Sequence, residues 1–267
     1  MQRRKFLAAS LAASAAGLSS LSLAQSNETQ THSVVRPRES YLLQRFLLQT
    51  GPQVALTEKY IGDALIPALS RHGFRPIGAF RVDIGPETPT VYVLIPAHTP
   101  GLAATLDDLL AADAGYMKAA EPLMNAPASA PAFVRMEATL LVAFEGWPRL
   151  TPPTSRGKRI FQLRTYESPS LHDHAEKIRM FHSGEFDIFK AAGFRPVFFG
   201  DTLIGTRMPS LTYMLAFNDQ AELDACWNAF RDAPAWKKLS ADPRFAYEPI
   251  VSNITNLVLS PISSSQI

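Results

Sequence analysis

The sequence predicts an α+β protein in which two tandem ferredoxin-like βαββαβ repeats pack into one barrel. The first observation is a repeat. Gly73-Phe74-Arg75-Pro76 returns as Gly193-Phe194-Arg195-Pro196, an offset of 120 residues. The same offset sets Tyr41, Leu43 and Phe46 on Phe161, Leu163 and Tyr166, Ile61 on Phe181, and Ala112, Tyr116 and Lys118 on Asp232, Trp236 and Lys238. The second observation is order within each copy, where apolar runs and helically spaced segments follow one another as strand, helix, strand, strand, helix, strand. Such a unit covers one face of a four-stranded antiparallel sheet with its two helices and leaves the other face bare. Two copies in one chain can press the bare faces together, which gives a barrel-like core with helices outside.

In chain order, residues 1–24 predict a signal peptide. A charged start, Met1-Gln2-Arg3-Arg4-Lys5, precedes a mildly apolar Ala- and Ser-rich run that closes on Ser22-Leu23-Ala24, a small-x-small cleavage pattern. Arg3-Arg4-Lys5-Phe6-Leu7 resembles the twin-arginine motif, which implies export of an already folded protein to the periplasm or beyond. The run is too short and too weakly apolar for a membrane anchor of ~20 residues. Residues 25–38 are polar and aperiodic and read as a flexible spacer.

The first repeat, 39–145, predicts strands at Tyr41–Leu48, Arg75–Ile84, Thr90–Pro96 and Phe133–Phe144, with helices from about Thr57 to His72 and beginning near Ala104. Residues 146–158, opening Gly146-Trp147-Pro148, form a Pro-rich linker. The second repeat, 159–262, predicts strands at Arg159–Tyr166, Phe194–Ile204, Leu211–Phe217 and Ile254–Leu259. Ser170 caps a helix carrying Ile178, Phe181, Phe186 and Phe189 until Gly193 stops it. Asn218 or Asp219 caps another through Leu223, Cys226, Trp227 and Phe230.

Composition narrows the function classes. At 46% hydrophobic and 19% charged residues, the chain can bury a sizeable core and is not a disordered arm. The formal charge of +2 falls to −1 when Arg3, Arg4 and Lys5 leave with residues 1–24, so a nucleic-acid partner has no basic stripe to use. A single cysteine, Cys226, excludes an intramolecular disulfide and any Cys-clustered metal site. It falls on the apolar stripe of a helix and reads as a buried, inert thiol.

Ile160-Phe161-Gln162-Leu163-Arg164-Thr165-Tyr166 resembles the opening strand of NIPSNAP domains, which begin with an apolar-x-Leu-Arg-Thr-Tyr phrase. The Gly193-Phe194 turn, the apolar strand Tyr213–Phe217, Asp232-Ala233-Pro234-Ala235-Trp236 and the final Leu257-Val258-Leu259-Ser260-Pro261 are similar to family features in the family's order. The resemblance covers 159–261, and 40–145 only through the internal repeat. It implies a dimeric α/β-barrel fold and little chemistry, because NIPSNAP proteins have no settled reaction. The wider superfamily holds haem-degrading and cofactor-independent oxygenases and isomerases.

Taking Phe161, Leu163 and Thr165 as the helix-facing set of the opening strand turns Gln162, Arg164 and Tyr166 inward, between the two sheets. Arg135 and Glu137 on the last strand of the first copy would join them, either as a structural network or as the lining of a pocket for a small apolar or aromatic molecule. His182, beside Ser183-Gly184, is the candidate general base or iron ligand if the chain is an oxygenase or isomerase, with haem as the cofactor of that alternative. No other cofactor and no metal motif is evident: His72, His172, His174 and His182 show no i, i+4 pairing. The partners expected are a small molecule and a second copy of the chain, with no nucleic acid and no stable membrane insertion.

Overall fold

The computed structural model describes residues 37–154 and 157–267, so the expected signal peptide and nearly all of the spacer lie outside the described residues. Eight strands form a closed, wholly antiparallel barrel: β1 (Ser40–Leu47), β2 (Gly78–Ile84), β3 (Thr90–Ala97), β4 (Arg135–Ala143), β5 (Ile160–Glu167), β6 (Arg195–Ile204), β7 (Ser210–Phe217) and β8 (Asn253–Pro261). The order around it is β1-β3-β2-β8-β5-β7-β6-β4. Read as two halves, this is β4-β1-β3-β2 and β8-β5-β7-β6, the same order twice, closed by β2 on β8 and β4 on β6. The registers agree too: Leu42 faces Ile95 and Gln162 faces Leu215, both members shifted by the same offset.

The helices repeat in the same way. In the first half, α1 spans 51–71 and contains a π-helical turn, Ile61–Leu65. Thr50 caps it by accepting from the Gln53 N–H, which places its start six residues before the expected Thr57. Next come α2 (Pro100–Ala104), α3 (Leu106–Ala111) and α4 (Ala114–Met124), where one helix was expected. Thr99 and Asp113 each cap a new segment, accepting from Leu102 and Tyr116 N–H. In the second half, α5 spans 171–191 with a π turn at Phe181–Glu185, and α6 (Gln220–Asp232), α7 (Pro234–Ser240) and α8 (Tyr247–Ile250) follow. Ser170 caps α5 and Asp219 caps α6. Gly73 and Gly193 end α1 and α5 at φ of 85° and 87°, values open to glycine. There the Phe74 and Phe194 N–H groups donate back to Leu69 and Phe189 carbonyls.

The barrel interior is solid. Tyr41, Leu43, Phe80, Leu94, Leu141, Phe161, Leu163, Phe198, Met214 and Leu259 fill it, all buried. Tyr41 meets Phe198 with ring centroids 5.0 Å apart, and Phe161 meets Phe80 at 4.8 Å, two related contacts that join opposite halves. The Ile267 side chain completes this core, and the preceding segment hydrogen-bonds along β2 through Ile262 to Ala79 and Gln266 to Ile77.

This filling corrects two expectations. Phe161 and Leu163 point into the barrel, so alternation turns Gln162, Arg164 and Tyr166 outward to the helices, the reverse of the expected parity. A ligand between the sheets has no room. Among the described residues, a cavity of about 90 Å³ opens at one barrel mouth beside Arg45 and Glu137, the volume of about three waters. The linker is docked rather than free, since Leu150 N–H donates to Glu39 Oε2 and Thr151 N–H to the Val197 carbonyl.

Candidate functional site

A cleft of about 760 Å³ lies between the outer face of β5 and β8 and the helices α5, α6 and α7, within the range that holds a small molecule. β5 contributes Gln162, Arg164 and Tyr166, and β8 contributes Asn256 and Val258. The opposing wall is Leu223, Trp227, Phe230 and Trp236, and the floor is Lys177 and Glu185.

The polar side chains here are organised. Trp227 Nε1–H donates to Gln162 Oε1 at 2.7 Å, and Gln162 Nε2 donates to Asn256 Oδ1 at 2.9 Å, a chain that fixes the indole over the sheet. The Arg164 guanidinium stacks on that indole, its Cζ 4.4 Å from the ring centroid and 5.3 Å from the ring of Tyr166. The Tyr166 and Tyr213 hydroxyls share a hydrogen bond of 2.8 Å. Beneath them, the Lys177 ammonium donates to both Glu185 oxygens, at 2.8 and 3.1 Å, and sits 4.5 Å from the centroid of Phe181. Lys177 is 0% exposed and Glu185 3%. Burial lowers the Lys177 pKa against the pull of Glu185, and burial raises the Glu185 pKa against the pull of Lys177 and Arg164.

Lys177 and Glu185 are eight residues apart, about 12 Å along a regular helix. They meet across the π turn, in which Gly184 adopts a non-helical φ of 134°. The same positions in the first half carry Thr57, before the matching π turn, and Leu65, its last residue. There Leu42 and Phe46 stand where the second half has Gln162 and Tyr166, and Phe46, Leu65 and Tyr116 pack as core. One fold therefore carries a filled version of this region and a polar, open one.

Of the residues expected to form a site, Gln162, Arg164 and Tyr166 come together here, outside the barrel. Arg135 and Glu137 are at the barrel mouth instead, where Arg45 and Arg135 bind Glu137 at 3.0 and 2.6 Å, and Arg45 also pairs with Glu87. Burial pushes the Glu137 carboxyl up, but the two guanidiniums outweigh it and hold its pKa below the ordinary value. His182 is engaged at both ring nitrogens. Gly146 N–H can only donate, so Nε2 accepts from it at 3.0 Å, and the Ile178 carbonyl can only accept, so Nδ1–H donates to it at 2.9 Å. That ring ties α5 to the linker, and its nitrogens do not fit the iron or base role expected of it. Among the described residues no group of three or more His, Cys, Asp or Glu is placed to hold a metal ion, and no helix is long and apolar enough to cross a membrane.

Sequence reasoning placed Trp227 on the apolar stripe of a helix and passed over Lys177 and Glu185. The signal for the latter two was present: the offset of 120 sets Lys177 on Thr57 and Glu185 on Leu65, a charged pair where the other copy has none.

Residues 161–266 match the NIPSNAP family model. The NIPSNAP-matching stretch contains every residue that lines the cleft. No curated protein matches the chain. Among solved structures, a candidate monooxygenase from Lactobacillus acidophilus covers 84% of this chain and 94% of its own length, with a TM-score of 0.56 at 9% identity. A candidate monooxygenase from Fusobacterium nucleatum gives 84%, 92%, 0.54 and 8% for the same measures. A NIPSNAP-like domain protein from Burkholderia xenovorans covers 40% of this chain and 87% of its own, with a TM-score of 0.36 at 17% identity. At such identities the likeness is one of fold.

Proposed function

We propose that the chain is a small-molecule-binding protein of the dimeric α/β-barrel type whose ligand, a planar and weakly acidic aromatic molecule, occupies the outer cleft of the NIPSNAP-matching half. The observation that carries this reading is the contrast between the halves. The same architecture packs the region with Leu42, Phe46 and Leu65 in one copy and keeps Gln162, Tyr166, Lys177 and Glu185 around a cleft in the other. The walls set the ligand class. Trp227, Tyr166, Phe230 and Trp236 offer aromatic faces, and the lining carries three cationic side chains, Arg164, Lys177 and Arg231, against two carboxylates, Glu185 and Asp224. The surplus of positive charge favours an acid, phenol or enol over an amine. The twin-arginine-like start supports a protein that would meet this ligand after folded export.

The test is a thermal-shift and dialysis series with aromatic acids and phenols on the full chain. Binding at one site per chain is expected. Trp227→Ala should weaken it at least about tenfold, the loss of about 1.4 kcal/mol that a buried aromatic anchor commands. Tyr116→Phe, in the filled half, should leave it unchanged. Equal affinity in Trp227→Ala would remove the cleft as the site.

A further inference from the structure

Lys177 and Glu185 form a fully buried ion pair that the fold does not require. Burying two charges costs several kcal/mol per ion before their attraction offsets it, and apolar residues of similar volume commonly serve stability as well or better. The first half shows that substitution already made, with Thr57 before an equivalent π turn and Leu65 closing it. The pair also faces the cleft, beside the aromatic wall, rather than the solid barrel interior. Besides the two Glu185 oxygens, the ammonium donates to Met180 Sδ at 3.4 Å and lies against the rings of Phe181 and Tyr166. A thioether is a weak acceptor, so an anionic oxygen would displace it readily.

We propose that this pair is a proton-accepting site: Glu185 takes the hydroxyl proton of a phenol or enol bound in the cleft, and Lys177 holds the resulting oxyanion. The inference rests on the ligand reading above and deepens it. The ligand O–H bond breaks and its electron pair stays on the ligand oxygen, while a new O–H bond forms on the Glu185 carboxylate. The ammonium exchanges a carboxylate for the ligand oxyanion, so the number of buried charges does not change. The raised pKa of Glu185, caused first by burial, makes it a better acceptor than a solvated carboxylate. Lys177 on its own helix and Arg164 on β5 act on Glu185, and Tyr166 on β5 with Asp224 and Arg231 on α6 line the same cleft. Lys177 and Arg164 favour the carboxylate form of Glu185 and oppose the effect of burial.

The probe is para-nitrophenol, whose anion absorbs in the visible while the phenol does not. The pH is set about two units below the probe's own pKa, where about one molecule in a hundred is ionised in solution. Equilibrium dialysis measures binding, and the spectrum of the bound probe measures ionisation. The full-length wild type should bind the probe with at least half of it ionised, a rise of about fiftyfold over solution. Glu185→Gln should bind it as the neutral phenol. So should Lys177→Thr with Glu185→Leu, which installs the residues of the first half and guards against a variant that fails to fold. A neutral spectrum for probe bound to the wild type, or a visible band that survives in either variant, overturns the proton-accepting role while leaving the binding reading intact. Absence of bound probe in the wild type counts against the binding reading, and the proton-accepting role falls with it.

Discussion

Single residues set the energetics of the cleft, and the Lys177–Glu185 pair shows how. Removing one partner, as in Glu185→Ala, strands a buried ammonium and should cost about 3–5 kcal/mol in denaturant unfolding, whereas Lys177→Thr with Glu185→Leu should be neutral or stabilising. Equal losses in both would mean that the pair is part of the stability of α5 and not a device of the cleft. Trp227→Phe keeps a ring against Arg164 but removes the Nε1–H donor to the buried Gln162 Oε1, so a loss of about 1–3 kcal/mol is expected. A different pH response belongs to Asp113. The Tyr116 N–H and then Arg71 hold its pKa at about 2, below the ordinary carboxylate value. A depressed pKa gives stability that is present above the unfolded value and lost as pH falls toward 2. The melting temperature of Asp113→Asn should therefore fall less steeply than wild type across that acidic window. At this scale the sequence named Gln162, Arg164 and Tyr166 as one set because they alternate on one strand. It could not assign their face, since Phe161, Leu163 and Thr165 are as fit for a barrel interior as for a helix layer. Only the packing of Phe161 on Phe80 distinguishes the two.

Elements position these residues. The π turn in α5 and the φ of 134° at Gly184 let Glu185 reach back to Lys177. Gly184→Ala meets no atom within 4 Å, so its cost is conformational, about 1–3 kcal/mol for a side chain forced into that region. It should destabilise the protein by that amount and reduce ligand affinity together, which denaturant unfolding and dialysis measure on one sample. Loss of stability without loss of affinity would separate the kink from the cleft. The capping residues Ser170 and Asp219 and the stop glycines Gly73 and Gly193 were legible because each is a local signal. The π turns were not, because a one-residue widening leaves the apolar spacing of Ile178, Phe181, Phe186 and Phe189 nearly helical. The early start of α1 at Gly51 was also hidden, since Thr50-Gly51-Pro52 reads equally as a turn and as a cap followed by proline in the first turn.

The whole molecule turns two half-covered sheets into one closed barrel, which the repeat offset and the bare-face argument made readable without any contact information. Each half separately would expose the face that carries Phe80, Phe161 and Met214. Residues 159–267 expressed alone should therefore self-associate, and light scattering that finds a stable monomer would contradict this account of the core. What pattern alone could not show is that closure fills the interior and leaves the open cleft outside it, because interior volume depends on how Tyr41, Phe198, Phe80 and Phe161 interlock. The open cleft lies in the NIPSNAP-matching half, between its sheet and its helices, and we expect the ligand there. A crystal structure of the full chain with para-nitrophenol tests it most directly. The ring is expected against Trp227 with its oxygen about 3 Å from Lys177 Nζ. A ring in the barrel mouth beside Arg45 and Glu137, or against Tyr60 and Tyr116 in the first half, would contradict it.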